Sequence, residues 1–280
     1  MKQKHKKQIS AKFLHLAVIL LILSFLTGCG VSTPEGVMSK ATTKSLKPES
    51  KNYRSTLSMD MEIQIPSKTI NANMTAKTEQ SSPDNIHLNM DMNMDVLGKS
   101  SAEAYVIKDG ERYLVYTNTG DKWQKEYMDF DTMQTTLNNY GMFKRGLFTD
   151  YARGLENATM TEENLDGKDC YKINAQMPAS NASTEMEEML QNIGIKNDYD
   201  ISKFGNINVS YWIEKKTFYP CKIEFDMTEL MKNVLEQAMK GSAAEGKMSY
   251  RKAIMSMTFS DYGQIGEIKP SEEASKALLK

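Results

Sequence analysis

Residues 86–96 alternate without a break. Ile86, Leu88, Met90, Met92, Met94 and Val96 fall on one side, and His87, Asn89, Asp91, Asn93 and Asp95 on the other. Side chains of an extended strand point to opposite faces in turn, so this run builds a strand with one oily and one wet side. The same period recurs in Leu57, Met59, Met61, Ile63 and Ile65, and again in Ile70, Ala72, Met74 and Ala76. Parallel strands are normally covered on both faces, so one-sided strands in this number require an antiparallel sheet.

Turn-forming pairs separate the runs: Pro66-Ser67, Ser82-Pro83-Asp84, Gly98-Lys99, Asp109-Gly110, Thr119-Gly120 and Asp166-Gly167. Asp109-Gly110, between Tyr105–Lys108 and Glu111–Tyr116, reads as a two-residue type I′ turn. The pattern predicts about ten or eleven strands, ending near Tyr250–Tyr262. A central hairpin is expected where Ile207, Val209, Tyr211 and Ile213 face Cys221, Ile223, Phe225 and Met227, with Lys215-Lys216 as its turn.

Helical spacing interrupts the strands. Ser183-Thr184 can cap a helix whose stripe is Met186, Met189, Leu190 and Ile193, stopping at Gly194. Thr228 can cap another with Leu230, Met231, Val234, Leu235, Ala238 and Met239 on its stripe and Gly241 as the stop. A less regular helical region covers 131–155. Each stripe needs an apolar partner, and the oily side of the sheet is the one on offer. The expected fold is mainly β with α: a strongly curved antiparallel sheet, an unclosed barrel, its apolar concave face covered by helices.

The first thirty residues carry a different message. A lysine-rich head is followed by the apolar run Phe13–Leu26, which ends in Leu26-Thr27-Gly28-Cys29. Fourteen helical residues span about 21 Å, short of the ~30 Å hydrocarbon core, so the run reads as a secretory signal rather than a permanent span. The last four residues resemble a bacterial lipobox, with cleavage between Gly28 and Cys29 and lipid on the Cys29 thiol. Acyl chains there would hold the protein on the extracytoplasmic face of the cell membrane without crossing it. Three segments follow: a signal over 1–28, a lipidated cysteine and flexible tether over 29–52, and a domain over 53–280.

Composition narrows the chemistry. The signal takes five lysines from a chain of formal charge −1, leaving an acidic protein with no electrostatic footprint for nucleic acid. His5 and His15 leave with the signal, so His87 alone remains, which argues against a histidine triad and multi-histidine zinc sites. Asp91, Asn93 and Asp95 lack the glycine turn and distal glutamate of a calcium loop. No glycine-rich phosphate loop or nucleophile elbow is present. The chain therefore reads as a non-enzyme without metal or cofactor.

Methionine is the oddity, with 21 residues, many of them inside the alternating strands. Thioether side chains repack around apolar molecules of varied shape, which makes Met59, Met61, Met74, Met90, Met92 and Met94 candidates to line a ligand cavity. A packed core using methionine for leucine is the competing reading. Copper(I) on Met90, Met92 and Met94 is disfavoured, because alternate residues of one strand stand about 7 Å apart. Outside the cytoplasm Cys170 and Cys221 are permitted a disulfide. Strand parity opposes it, placing Cys221 with Ile223 and Phe225 but Cys170 with Lys172 and Asn174, so bridged and free thiols both stay open.

Three stretches resemble the LolA/LppX-like lipoprotein-carrier half-barrel superfamily: Gly120-Asp121-Lys122-Trp123-Gln124-Lys125, the hairpin from Tyr211-Trp212 to Pro220-Cys221-Lys222-Ile223, and Phe259-Ser260-Asp261-Tyr262-Gly263 with Ile268 and Pro270. The chain looks nearest to uncharacterised Gram-positive lipoproteins of that fold. The resemblance covers about 53–275. It implies an unclosed barrel round helices with a cavity for acyl chains or lipid-anchored cargo, and transfers no ligand-contact residue. The expected function is a membrane-anchored binder or carrier of a lipid or other hydrophobic ligand, its protein partner unknown. The alternative is a structural or interaction module of the cell envelope with a packed, ligand-free core. In cells fed a radiolabelled fatty acid, Cys29→Ala is expected to abolish label on the protein and leave the uncleaved precursor.

Overall fold

The computed structural model describes residues 33–120, 122–133, 155, 157–179, 205–243 and 245–280. The signal, the Gly28–Cys29 junction and the helix expected after Ser183 lie outside them. So does most of the region 131–155, of which a helical turn over 130–133 is described.

Eleven antiparallel strands form one sheet. The first six are β1 (Tyr53–Ile65), β2 (Lys68–Ser82), β3 (Asn85–Met94), β4 (Gly98–Asp109), β5 (Arg112–Asn118) and β6 (Trp123–Met128). The other five are β7 (Thr159–Leu165), β8 (Lys168–Pro178), β9 (Asn206–Glu214), β10 (Pro220–Asp226) and β11 (Ser249–Ser260). Each half is a meander of sequential neighbours, and the halves meet where β1 pairs with β11. The edges are β6 and β7, so the barrel is unclosed.

Among the described residues, two helices lie against the apolar side of the sheet: α1 (Pro34–Ser45) and α2 (Thr228–Met239). A third, α3 (Glu272–Ser275), belongs to the C-terminal segment. In α2, Leu230, Met231 and Val234 are buried, and the helix packs on β11 and β9. Thr228 is not its cap. The Thr228 amide donates to Asp226 Oδ1 at 3.0 Å, and its hydroxyl accepts from the Ala253 amide at 3.1 Å. The residue expected to begin the helix instead ties that helix to the neighbouring strand.

Helix α1 corrects the expected tether over 29–52. Thr33 caps it by accepting from the Gly36 amide at 3.2 Å, and Pro34 supplies the first helical position, where a missing N–H costs nothing. Val37, Met38 and Ala41 fall on one face and are buried in the main core. Three small or medium apolar residues among lysines and serines give too weak a period to stand out in sequence. The chain then turns through Pro48–Lys51, and Asn52 fastens the start of β1 by donating to the Ser81 and Ile265 carbonyls.

The turns follow backbone sterics. Asp166 and Gly167 both take positive φ, as a type I′ turn between β7 and β8 requires. Between β4 and β5 the turn sits one residue later than expected. Asp109 pairs with Arg112, Gly110 has φ 64°, and Glu111 has no positive φ, so the turn is not type I′. Met38→Ala is expected to cost about 2–5 kcal/mol in a urea unfolding series, whereas exposed Leu46→Ala costs less than about 0.5 kcal/mol. A tether residue at 38 would show no cost.

Candidate ligand-binding face

Register turns the one-sided strands into rows. Met92 opposes Met74, Met74 opposes Met59, and Met59 opposes Met255, which places four methionines side by side on β3, β2, β1 and β11. The row continues through Phe225 on β10 and Val209 on β9. Beside it, Met94, Ala72, Met61 and Ala253 alternate large and small, and on the other side Met90 opposes Ala76, which opposes Leu57. Directly opposed residues have Cβ atoms ~5 Å apart, so neighbouring thioethers touch. All six methionines singled out in sequence share this face. Ala72 and Ala76 were read on it as well, whereas Met255 and Ala253 were missed, because only the pairing of β11 with β1 brings them there.

Burial along the face is graded. On β3, Ile86 and Leu88 are 4% and 2% exposed. Met90, Met92 and Met94 are half-buried, and Val96, just past the strand, is 61% exposed. On β1, Leu57 is buried while Met59, Met61, Ile63 and Ile65 are half-buried. Helices α1 and α2 contribute to the same core as Leu57 and Leu88, and Met59, Met61, Met74 and Met90 pack against its margin. No ionisable side chain falls on this face between Leu57 and Ile63, Ile70 and Ala76, or Leu88 and Met94. The arrangement can hold apolar matter.

The opposite face carries cross-strand ion pairs. Arg54 bridges Glu79 and Asp261, and Lys252 meets Asp60. Asp95, one of the acids weighed as a calcium ligand, accepts from the Asn71 amide at 2.8 Å and from its side chain at 2.9 Å. No group of three or more His, Cys, Asp or Glu able to hold a metal occurs among the described residues. His87 stacks on Tyr105 with ring centroids 4.2 Å apart and meets Glu103 at 2.9 Å. Burial, with the Glu103 hydrogen bond, pushes the Tyr105 hydroxyl up to about 12. Tyr105 also packs with Tyr116 and Ala274, pinning the C-terminal segment across the outer sheet, and the Lys280 amide donates to the Lys125 carbonyl at 3.0 Å.

The cysteines overturn the parity expectation. A bulge between Pro220 and Lys222 leaves Cys221 without a ladder partner and turns its thiol to the outer side. There Cys170 and Cys221 are buried in one cluster with Trp212, over which Lys172 and Lys222 each lie at 4.7 Å. Both are free thiols. Burial and the adjacent Cys221 push Cys170 up to about 12.

A family profile matches residues 33–277. The chain belongs to DUF6612, a family of unknown function. No curated protein matches this DUF6612 chain. Among solved structures it is similar to LprF from Mycobacterium bovis, with 10% identity, TM-score 0.43, and coverage of 84% of this chain and 95% of that one. It is also similar to a putative outer membrane lipoprotein-sorting protein domain from Vibrio parahaemolyticus, with 11% identity, TM-score 0.24 and coverage of 80% and 90%. A LolA superfamily protein from Nitrosomonas europaea gives 12% identity, TM-score 0.21 and coverage of 82% and 93%. The unclosed sheet itself is established by strand pairing in this chain.

Raised thiol and phenol groups give a pH dependence of stability. Cys170 and Tyr105 ionise more readily unfolded than folded, so their contribution is intact below the unfolded pKa values and lost as pH climbs towards the folded ones. The thermal midpoint is expected to fall between about pH 9 and 12, and less steeply in Tyr105→Phe.

Proposed function

We propose that this DUF6612 protein is an extracytoplasmic, lipid-anchored binding protein that holds the acyl part of a lipid or a similar apolar molecule on its methionine face, without catalysis. The observation that carries the proposal is the loss of cover along β3, from buried Leu88 through half-buried Met90, Met92 and Met94 to exposed Val96. A half-buried methionine leaves a substantial part of its ~1.5–3 kcal/mol of burial free energy unrealised. A ligand laid along the row recovers it on β3, β2 and β1, where Met92, Met74 and Met59 are half-buried. Thioether side chains accept acyl chains of differing length and kink with little loss of packing.

The anchoring part of the proposal rests on Leu26-Thr27-Gly28-Cys29, which resembles a lipobox. With α1 starting at Pro34, any flexible link to the lipid is a few residues long, and the domain sits close to the headgroups. The rival role, an envelope module that docks another protein, draws on the packed core under α1 and α2. It predicts a chain with nothing extractable.

Organic extraction of protein purified from its own host, followed by mass spectrometry, is expected to release a stoichiometric lipid beyond the Cys29 anchor. Met74→Asp places a charge in the row and is expected to reduce that lipid at least about tenfold while the chain stays folded by circular dichroism. Protein that is empty as isolated and takes up no added fatty acid or phospholipid refutes the reading.

A further inference from the structure

The β3–β4 connection has the wrong composition for a hairpin tip exposed to water. It consists of Asp95, Val96 and Leu97, closed by Gly98, which pairs with Met94 and takes φ 79°. Turns at a sheet end ordinarily carry polar residues. Here Val96 and Leu97 are 61% and 76% exposed. The base of the loop is held firmly, because the Asp95 amide donates to the Asn71 carbonyl at 3.0 Å and the Asp95 carboxylate accepts two bonds from Asn71. The one acid in the loop is thereby engaged at its root, and the two aliphatic residues are presented beyond it.

Two further observations say what the tip meets. Lys68, which opens β2 at the same end of the sheet, and Lys99, just after the tip, are exposed. Neither makes an ion pair among the described residues. Two exposed aliphatic side chains with two exposed ammonium groups at the same end of the sheet match the layering of an anionic bilayer, with acyl chains beneath negative headgroups. The tip also adjoins the methionine face: Val96 continues the sequence alternation of Met90, Met92 and Met94 and lies in the turn just past Met94, at the end where that face loses its cover.

We infer that the Val96–Leu97 tip dips into the surface of an anionic lipid bilayer and so sets the uncovered end of the methionine face against the membrane. The inference rests on the reading of that face as a lipid site. It adds an orientation: a ligand passes between bilayer and face along β3 without crossing water. The Cys29 lipid keeps the domain near the membrane, and the tip decides which end looks down.

The test uses the lipidated chain reconstituted in vesicles of phosphatidylglycerol and phosphatidylcholine whose acyl chains carry bromine. Leu97→Trp adds an emission expected to be blue-shifted and quenched about twofold by the brominated lipid. Leu46→Trp, exposed away from the tip, is expected to be unquenched. Val96→Asp in the Leu97→Trp chain is expected to remove the quenching, and omitting phosphatidylglycerol to lower the inserted population about fivefold for each lysine engaged. Residue 97 emitting as residue 46 does, in both kinds of vesicle, overturns the inference. So does protection of residue 97 that requires added envelope protein, which identifies a protein partner instead. Lipid extracted from the Val96→Asp chain separates the two claims, because a bound lipid retained there upholds the ligand site whatever the tip does.

Discussion

The pairing of β1 with β11 is the contact on which the architecture depends. Each meander alone is a run of hairpins, but the first strand of one and the last strand of the other are joined over Arg54–Gln64 and Ser249–Ser260. This long-range register sets Met59 against Met255 and thereby makes two half-sheets share one apolar face. It carries the larger entropic cost, since its partners lie almost a whole domain apart in sequence, and the core under α1 and α2 offsets that cost. Lys252 with Asp60 and Arg54 with Asp261 lock the same seam from the outer side, although exposed pairs of this kind add little free energy each.

A division of labour between the two faces follows. The outer face spends its polar residues on cross-strand ion pairs and on holding the C-terminal segment, with Tyr105, Tyr116 and Ala274 closing a small second cluster. The inner face has no charges to pair along its central rows, and what covers it decides its chemistry. Where α1 and α2 lie, side chains interlock and the sheet has a conventional core. Towards the Val96 end, methionines are left half-covered, a state in which further apolar contact lowers the free energy.

Strand existence and facing were readable from the residues because period-two alternation needs no partner to be seen: β1, β2 and β3 follow the runs beginning at Leu57, Ile70 and Ile86. The hairpin of β9 and β10 was legible for the same reason, Cys221 apart. What escaped was fixed by pairing. The bulge at Cys221 reverses one side chain against its strand's parity, and no sequence period announces it. The turn at Gly110 is set by which residues close the ladder, Asp109 and Arg112. Helix α1 was hidden because its three buried residues find their partners on distant strands. The candidate methionines were legible as one face, whereas their order into a row across four strands required the register.

The claim that most needs a direct measurement is that the methionine face loses its cover towards the Val96 end and that apolar ligand supplies the missing cover. Mild peroxide oxidation read methionine by methionine by mass spectrometry measures this in the native protein. Delipidated protein is predicted to convert Met94 and Met92 to sulfoxide faster than Met90, and far faster than buried Met38 and Met231, with added phospholipid slowing the first two selectively. Equal, slow oxidation of Met90, Met92 and Met94 without lipid, or rates that lipid leaves unchanged, would contradict the account.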